Sequence, residues 1–244
     1  MKFEKKWRFE FMNRSFGSED IDMTAKTCEF LSVLLNEKPT EAFVEQLRKN
    51  GAEFRARHEV PNGKGPLDEG ICQMFQYVEA TKDKTVLEVS RELAVSWTRI
   101  FRGIAPGYSP LPPCEAFYVA DGNQEVQLKI FLELTKEYST SGLVVDAMCV
   151  HRPDYVGVEM AFVHSFLKQE AAFLKEKDFT KAQECRESCR RFAANHLENW
   201  FPLFCKEAEK YSDSGFYQGL LISLAGFVSM LARGEEDMSS TCVH

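Results

Sequence analysis

From Thr24 onward the apolar residues recur at intervals of three and four, and the alternation of Val, Ile and Thr that strands require is scarce. The chain therefore reads as nearly all helix. A first helix fits "TAKTCEFLSVLL", with Cys28, Leu31, Leu34 and Leu35 facing inward, and a second fits "KPTEAFVEQLRKNG". Thr40 is placed to cap the second, Phe43, Val44 and Leu47 share one face, and Gly51 marks the C-terminal end. Further helices are predicted over Leu67 to Thr81, Thr85 to Phe101 and about Asn123 to Tyr138. In the second of these, Leu87, Leu93, Ala94, Trp97, Ile100 and Phe101 form the apolar face. Beyond Pro153, Asp154 is placed to cap a helix carrying Val156, Met160, Val163, Phe166, Leu167 and Phe173, and Thr180 to cap the next, which ends near Trp200. "FPLFCKEAEKY" and "SGFYQGLLISLAGFVSMLARG" complete a set of roughly ten, with Gly234 at the stop and a frayed tail after it.

Three stretches interrupt this pattern. "EVPNGKGPLDEG" is a turn-rich connector. The segment 102 to 115 carries Gly103, Pro106, Gly107, Pro110, Pro112 and Pro113, which cannot continue a helix. The third, 139 to 152, is a candidate hinge. The expected architecture is a single all-α multi-helix bundle of two intimately packed halves, about 1–138 and 153–234.

Composition narrows the class. At 244 residues and 44% hydrophobic, the chain can bury a sizeable core. The most apolar stretch, Gly219 to Ala232, reads as too short to span a bilayer, and "MKFEKKWRFEF" lacks the basic-then-apolar order of a secretory signal, so a cytoplasmic location is expected. A net charge of -7 argues against a nucleic-acid partner and suits a cationic one. The eight cysteines include no Cys-x-x-Cys and read as reduced, mostly buried thiols; Cys185 and Cys189 have helical spacing, but further clustered ligands for zinc are missing.

Catalytic patterns are wanting. There is no His-Glu-x-x-His, no Glu-x-x-His and no phosphate-cradling glycine loop, and the five histidines are scattered. Arg190 and Arg191 resemble a twin-arginine export motif only by coincidence, lying inside a helix on its exposed face.

Three stretches carry a resemblance. "LAVSWTRIFRGIAPGYSPLPPCEAFY", residues 93 to 118, "RPDYVGVEMAFVHSFLKQEA", residues 152 to 171, and "FAANHLENWFPLFCKEAEKYSDSGFYQGLLISLAGFV" resemble, in that order, the motifs of the TorD/DmsD redox enzyme maturation chaperones. The first 80 residues share only helical character with that family. Tyr155 stands where the family usually has histidine, and Ala116 replaces its serine after Glu115. Tyrosine can still donate a hydrogen bond there but does not titrate near neutrality.

The resemblance implies an all-α fold of the TorD/DmsD type and a chaperone, not an enzyme. It would bind the twin-arginine signal peptide of a molybdenum-type oxidoreductase precursor, or its apoenzyme, until cofactor insertion, holding no cofactor or metal itself. Recognition needs an apolar floor and acid at its rim. Pro110, Leu111 and Pro112, with Pro113, would supply a rigid floor, and Phe117 and Tyr118 aromatic area. Trp97, Phe101, Pro153 and Tyr155 belong to the same motifs, although Trp97 and Phe101, like Phe162 and Phe166, have the spacing of core residues too. Glu115, Asp154 and Glu159 are the carboxylates for the leader's arginines. Two rivals stand beside this reading. One is an assembly chaperone acting on a leaderless reductase subunit. The other is a nucleotide hydrolase, for which relatives' proposed guanine-nucleotide interaction speaks but no phosphate loop does. Monomer and domain-swapped dimer are both open, with 139 to 152 as the place for a swap.

Overall fold

The computed structural model describes residues 18–58, 65–141 and 152–233. They form α1 (Ser18–Asn36), α2 (Glu41–His58), α3 (Pro66–Ala80), α4 (Val86–Phe101), α5 (Glu115–Val119), α6 (Gln124–Thr140), α7 (Val156–Lys175), α8 (Phe179–Phe192), α9 (Phe201–Ala208) and α10 (Gly215–Arg233). A π-helical turn, Ala193–Leu197, extends α8, and a 3-10 turn, Glu209–Tyr211, follows α9. The described residues contain no strand, as the periodicity predicts.

Local chemistry sets several of the starts. The Thr40 hydroxyl accepts from the Phe43 N–H at the head of α2. At α4 a full capping box forms, the Thr85 side chain accepting from the Glu88 N–H while the Glu88 carboxylate accepts from the Thr85 N–H. Asn123 does the same work for α6 by accepting from Glu125 N–H. Three expectations are corrected. Helix α2 runs through Gly51 to His58. Helix α8 is capped by Asp178, which accepts from Lys181 N–H, rather than by Thr180. The N-cap of α7 is Tyr155, without a side-chain cap bond, because the Asp154 carboxylate is bound elsewhere.

The chain divides into two compact units that interleave along the sequence. Of the described residues, one unit comprises 18–33, 128–141, 152–199 and 228–233; the other comprises 34–58, 65–127 and 200–227. Most of the connector 139 to 152, read as a hinge, lies outside the described residues, as do Cys149, His151, Gly234, Cys242 and His244.

In the first unit α7 lies along α8, and an aromatic cluster of Tyr138, Phe162, Phe166 and Phe192 fills the interior, Phe162 standing 4.7 Å from both Phe166 and Phe192. Cys28 and Leu31 of α1 are buried as the pattern predicts. Burial pushes the Cys28 thiol up, and burial with Glu170 and Cys185 nearby pushes Cys189 up to about 12, so these are inert packing thiols. Among the described residues no His, Cys, Asp and Glu cluster could hold a metal.

In the second unit α2 packs on α3 and α4, and Phe101, Phe204, Phe216 and Tyr217 form the core. On α4 the buried face includes Val89, Leu93, Trp97, Ile100 and Phe101; Leu87, assigned to that face from sequence, is exposed. Helices α3 and α10 approach closely at their glycines. A methyl group on Gly70 would overlap the Gly219 carbonyl oxygen, one on Gly226 would stand 2.6 Å from Leu67 N, and Ser223 Oγ donates to Leu67 O across the same seam. Helix α10 is long and apolar enough to cross a membrane by length and composition, which corrects the expectation that this stretch is too short. Phe216, Tyr217, Leu220, Leu221 and Leu224 are nonetheless fully buried, the mark of a core helix.

Candidate functional site

The segment between α4 and α5 is the most irregular backbone among the described residues, and it is closed by its own contacts. Ala105 O accepts from Tyr108 and Ser109 N–H at 3.1 Å, and the Ser109 hydroxyl accepts from Ala105 N–H at 3.1 Å. Gly103 lies at φ +56, and a Cβ there would stand 2.5 Å from Pro112 Cγ. Only glycine therefore lets Pro112 close over the end of α4. From the other side the Tyr118 hydroxyl donates to Leu111 O at 3.1 Å. Tyr118 in turn stacks on Trp200, centroids 5.5 Å apart, and meets Phe204 edge-on at 6.0 Å. Burial and the neighbouring Glu207 carboxylate push the Tyr118 hydroxyl up, so it stays a donor at any physiological pH.

What this bracing holds outward is apolar. Pro110 and Pro113 are buried and Pro112 is half-buried, whereas Leu111 keeps 50% of its surface exposed at the tip. Ile104 and Tyr108 of the same segment are also exposed, and so are Val119 at the end of α5 and Leu203 on α9, the helix against which Tyr118 packs. Phe117 is half-buried. Trp97 and Phe101 are core residues, 6.2 Å apart; the Trp97 indole N–H donates at 3.0 Å to Leu34 O, a carbonyl at the end of α1 that no helical N–H satisfies. Both motif positions are therefore interior ones.

The expected carboxylates behave differently. Glu115, at the first turn of α5, is buried. Asp154 has no exposed surface, and its two oxygens accept from Arg152 Nε and Nη2 at 2.9 and 3.0 Å. That guanidinium also lies over the Phe131 ring, 4.7 Å from its centroid. Pro153 is half-buried, its carbonyl accepting from the Tyr138 hydroxyl at 2.8 Å, and Tyr155 is buried. Glu159 is likewise fully buried. Pro153, Asp154, Tyr155 and Glu159 belong to the first unit and Trp97, Phe101, Pro110 to Pro112, Glu115 and Tyr118 to the second.

Sequence reasoning missed the half-buried Glu207, whose carboxylate lies 3.5 Å from the Tyr118 hydroxyl beside the apolar segment. Its only signal was position, three residues after Phe204 on one helical face.

A braced, exposed apolar segment on an all-helical scaffold has the makings of a binding protein. The family model described as nitrate reductase delta subunit matches residues 65–206, and the chain belongs to that family. Its members are chaperones of molybdoenzyme maturation. No curated protein and no solved structure matches the chain. The match begins earlier than the resemblance at 93, taking in all of α3.

Proposed function

We propose that this chain is a cytoplasmic, non-catalytic chaperone that holds the twin-arginine leader of a molybdenum-type oxidoreductase precursor until the cofactor is inserted. The observation that carries the reading is the exposure of Ile104, Tyr108 and Leu111 on the segment between α4 and α5, which the protein itself keeps rigid, and of Val119 at the end of α5. An apolar peptide stretch would cover these side chains at little ordering cost, because the prolines and the Tyr118 bond have already fixed the backbone. The leader's cationic start is better matched by Glu207 than by Asp154, which already holds Arg152. Glu115 and Glu159 would then shape the motifs from within.

Titration calorimetry with a synthetic leader from a neighbouring oxidoreductase gene tests this. Saturable binding is expected, weakened at least about tenfold, a loss of about 1.4 kcal/mol, in Leu111→Asp. A well-folded wild-type sample that binds no leader removes the proposal. The match to a nitrate reductase delta family supports a second reading, an assembly chaperone that grips a leaderless catalytic subunit. Capture of the mature, leaderless enzyme, lost in the same variant, would favour it.

A further inference from the structure

The exposed segment between α4 and α5 is braced at a second point, away from the Tyr118 hydroxyl. Ala105, Pro106, Gly107 and Tyr108 close a tight turn in which the Tyr108 N–H donates to Ala105 O at 3.1 Å and Gly107 lies at φ +78. Proline at the second place and a left-handed glycine at the third are what such a turn takes. It delivers the Tyr108 side chain to the last turn of α4. There the Arg99 guanidinium lies over the Tyr108 ring, 4.9 Å from its centroid, with Nη2 3.5 Å from the hydroxyl.

Arg99 is itself clamped. Its Nη1 donates to the carboxylate of Asp213, in the turn ahead of α10. Both neighbours of Asp213 are pinned. The Ser212 hydroxyl donates to Ser214 O at 3.1 Å, Ser212 O accepts from the Gln218 amide at 3.2 Å, and the Ser214 hydroxyl accepts from Phe216 N–H at 3.2 Å. The Arg99 side chain keeps only 21% exposure, whereas that of Asp213 keeps 73% and Tyr108 keeps 50%. A mostly buried cation is thus covered by an aromatic ring of the exposed segment and neutralised from a fixed turn.

We infer that Arg99 and Asp213 tune this segment for a cationic client: Arg99 positions Tyr108, and Asp213 cancels the Arg99 charge that would otherwise repel the leader's arginines. The inference rests on the leader reading and adds two positioning residues to it. Joined, the pair carries no net charge. An apolar stretch can then settle on Tyr108 and Leu111 without a penalty on the basic residues that precede it.

The test uses the full chain, the synthetic leader and a copy of it with both arginines replaced by glutamine, titrated by calorimetry at low salt. Asp213→Asn leaves Arg99 uncompensated and should weaken the arginine leader about threefold more than the glutamine copy. Arg99→Gln leaves Asp213 uncompensated. It should weaken the glutamine copy about threefold by freeing Tyr108, and shift the preference the opposite way, toward arginine. The two changes combined should restore the wild-type preference. Loss of structure would penalise both peptides alike and gives no such pair of opposite signs; circular dichroism checks folding. Without any peptide, amide hydrogen exchange at residues 104–109 should quicken at least about threefold in Arg99→Gln. Should that variant fail to fold, Asp213→Asn carries both readouts, since it unclamps Arg99 as well. Unchanged exchange overturns the positioning of Tyr108, and equal losses for the two peptides in Asp213→Asn overturn the charge role. A wild-type chain that binds neither peptide removes the leader reading and the charge role with it, while exchange alone still decides whether Arg99 positions Tyr108.

Discussion

The segment 103–120 and the segment 152–159 both carry the motifs by which this chain resembles maturation chaperones, and they dispose of their side chains in opposite ways. The first buries its polar anchors and turns Ile104, Tyr108, Leu111 and Val119 to solvent. The second turns inward: Asp154, Tyr155 and Glu159 are all buried, and Asp154 is bound by Arg152 two residues before it. A polar motif residue can therefore be there to hold the chain's own cation, while the exposed residues of the first segment are apolar ones that the proline backbone keeps in place. Family motifs mark what the fold needs as well as what the ligand touches.

The sharpest way to break this contrast is Asp154→Ala. Removing one partner of a buried ion pair costs about 3–5 kcal/mol, and the lower end applies because the Arg152 side chain keeps 33% exposure. Urea denaturation should show that loss; unchanged stability with lost client binding would make Asp154 a ligand after all. Gly103→Ala strikes the brace of the other segment, with an expected cost of about 1–3 kcal/mol from the left-handed backbone and the clash with Pro112, read in the same titration.

A smaller effect concerns Glu170, which is buried beside Arg186. Burial raises its carboxyl above the ordinary value against the lowering influence of Arg186. The folded state therefore holds the proton more tightly than the unfolded chain, and stability falls as pH rises from the ordinary glutamate value to the raised one. Glu170→Gln should flatten the pH dependence of the melting temperature across that window and leave the slope above it unchanged. The smallest effect is on stability in Leu111→Asp, expected within about 0.5 kcal/mol by thermal melting, since the side chain is half exposed and supports nothing. A large destabilisation would make Leu111 part of the core and end the comparison.

Periodicity was enough to read the helices because each has a continuous buried stripe: Leu31, Leu34 and Leu35 on α1 and Met160, Val163 and Leu167 on α7 are all inside. Helix ends were less legible, since Asp178 rather than Thr180 caps α8, and either residue type suits a cap. The interleaving of the two units has no signature in the hydrophobic pattern. Helices α1, α6 and α10 each contribute to both units, and a hydrophobic stripe does not say which neighbour it will meet. For the candidate site, proline and glycine spacing shows where helix stops, and the segment between α4 and α5 is indeed non-helical. The burial of Asp154 and Glu159 has no sign in a list of residue types, and only the fold reveals the cation already waiting at Asp154.

The bare seam between α3 and α10 has a practical meaning for anyone mapping this protein. Scanning with alanine normally trims atoms away, but at Gly70, Gly219 and Gly226 it would add them where Leu67, Gly70 and Met74 leave no space. Large losses scored there would measure wedging of two backbones apart, and should not be mistaken for lost client recognition.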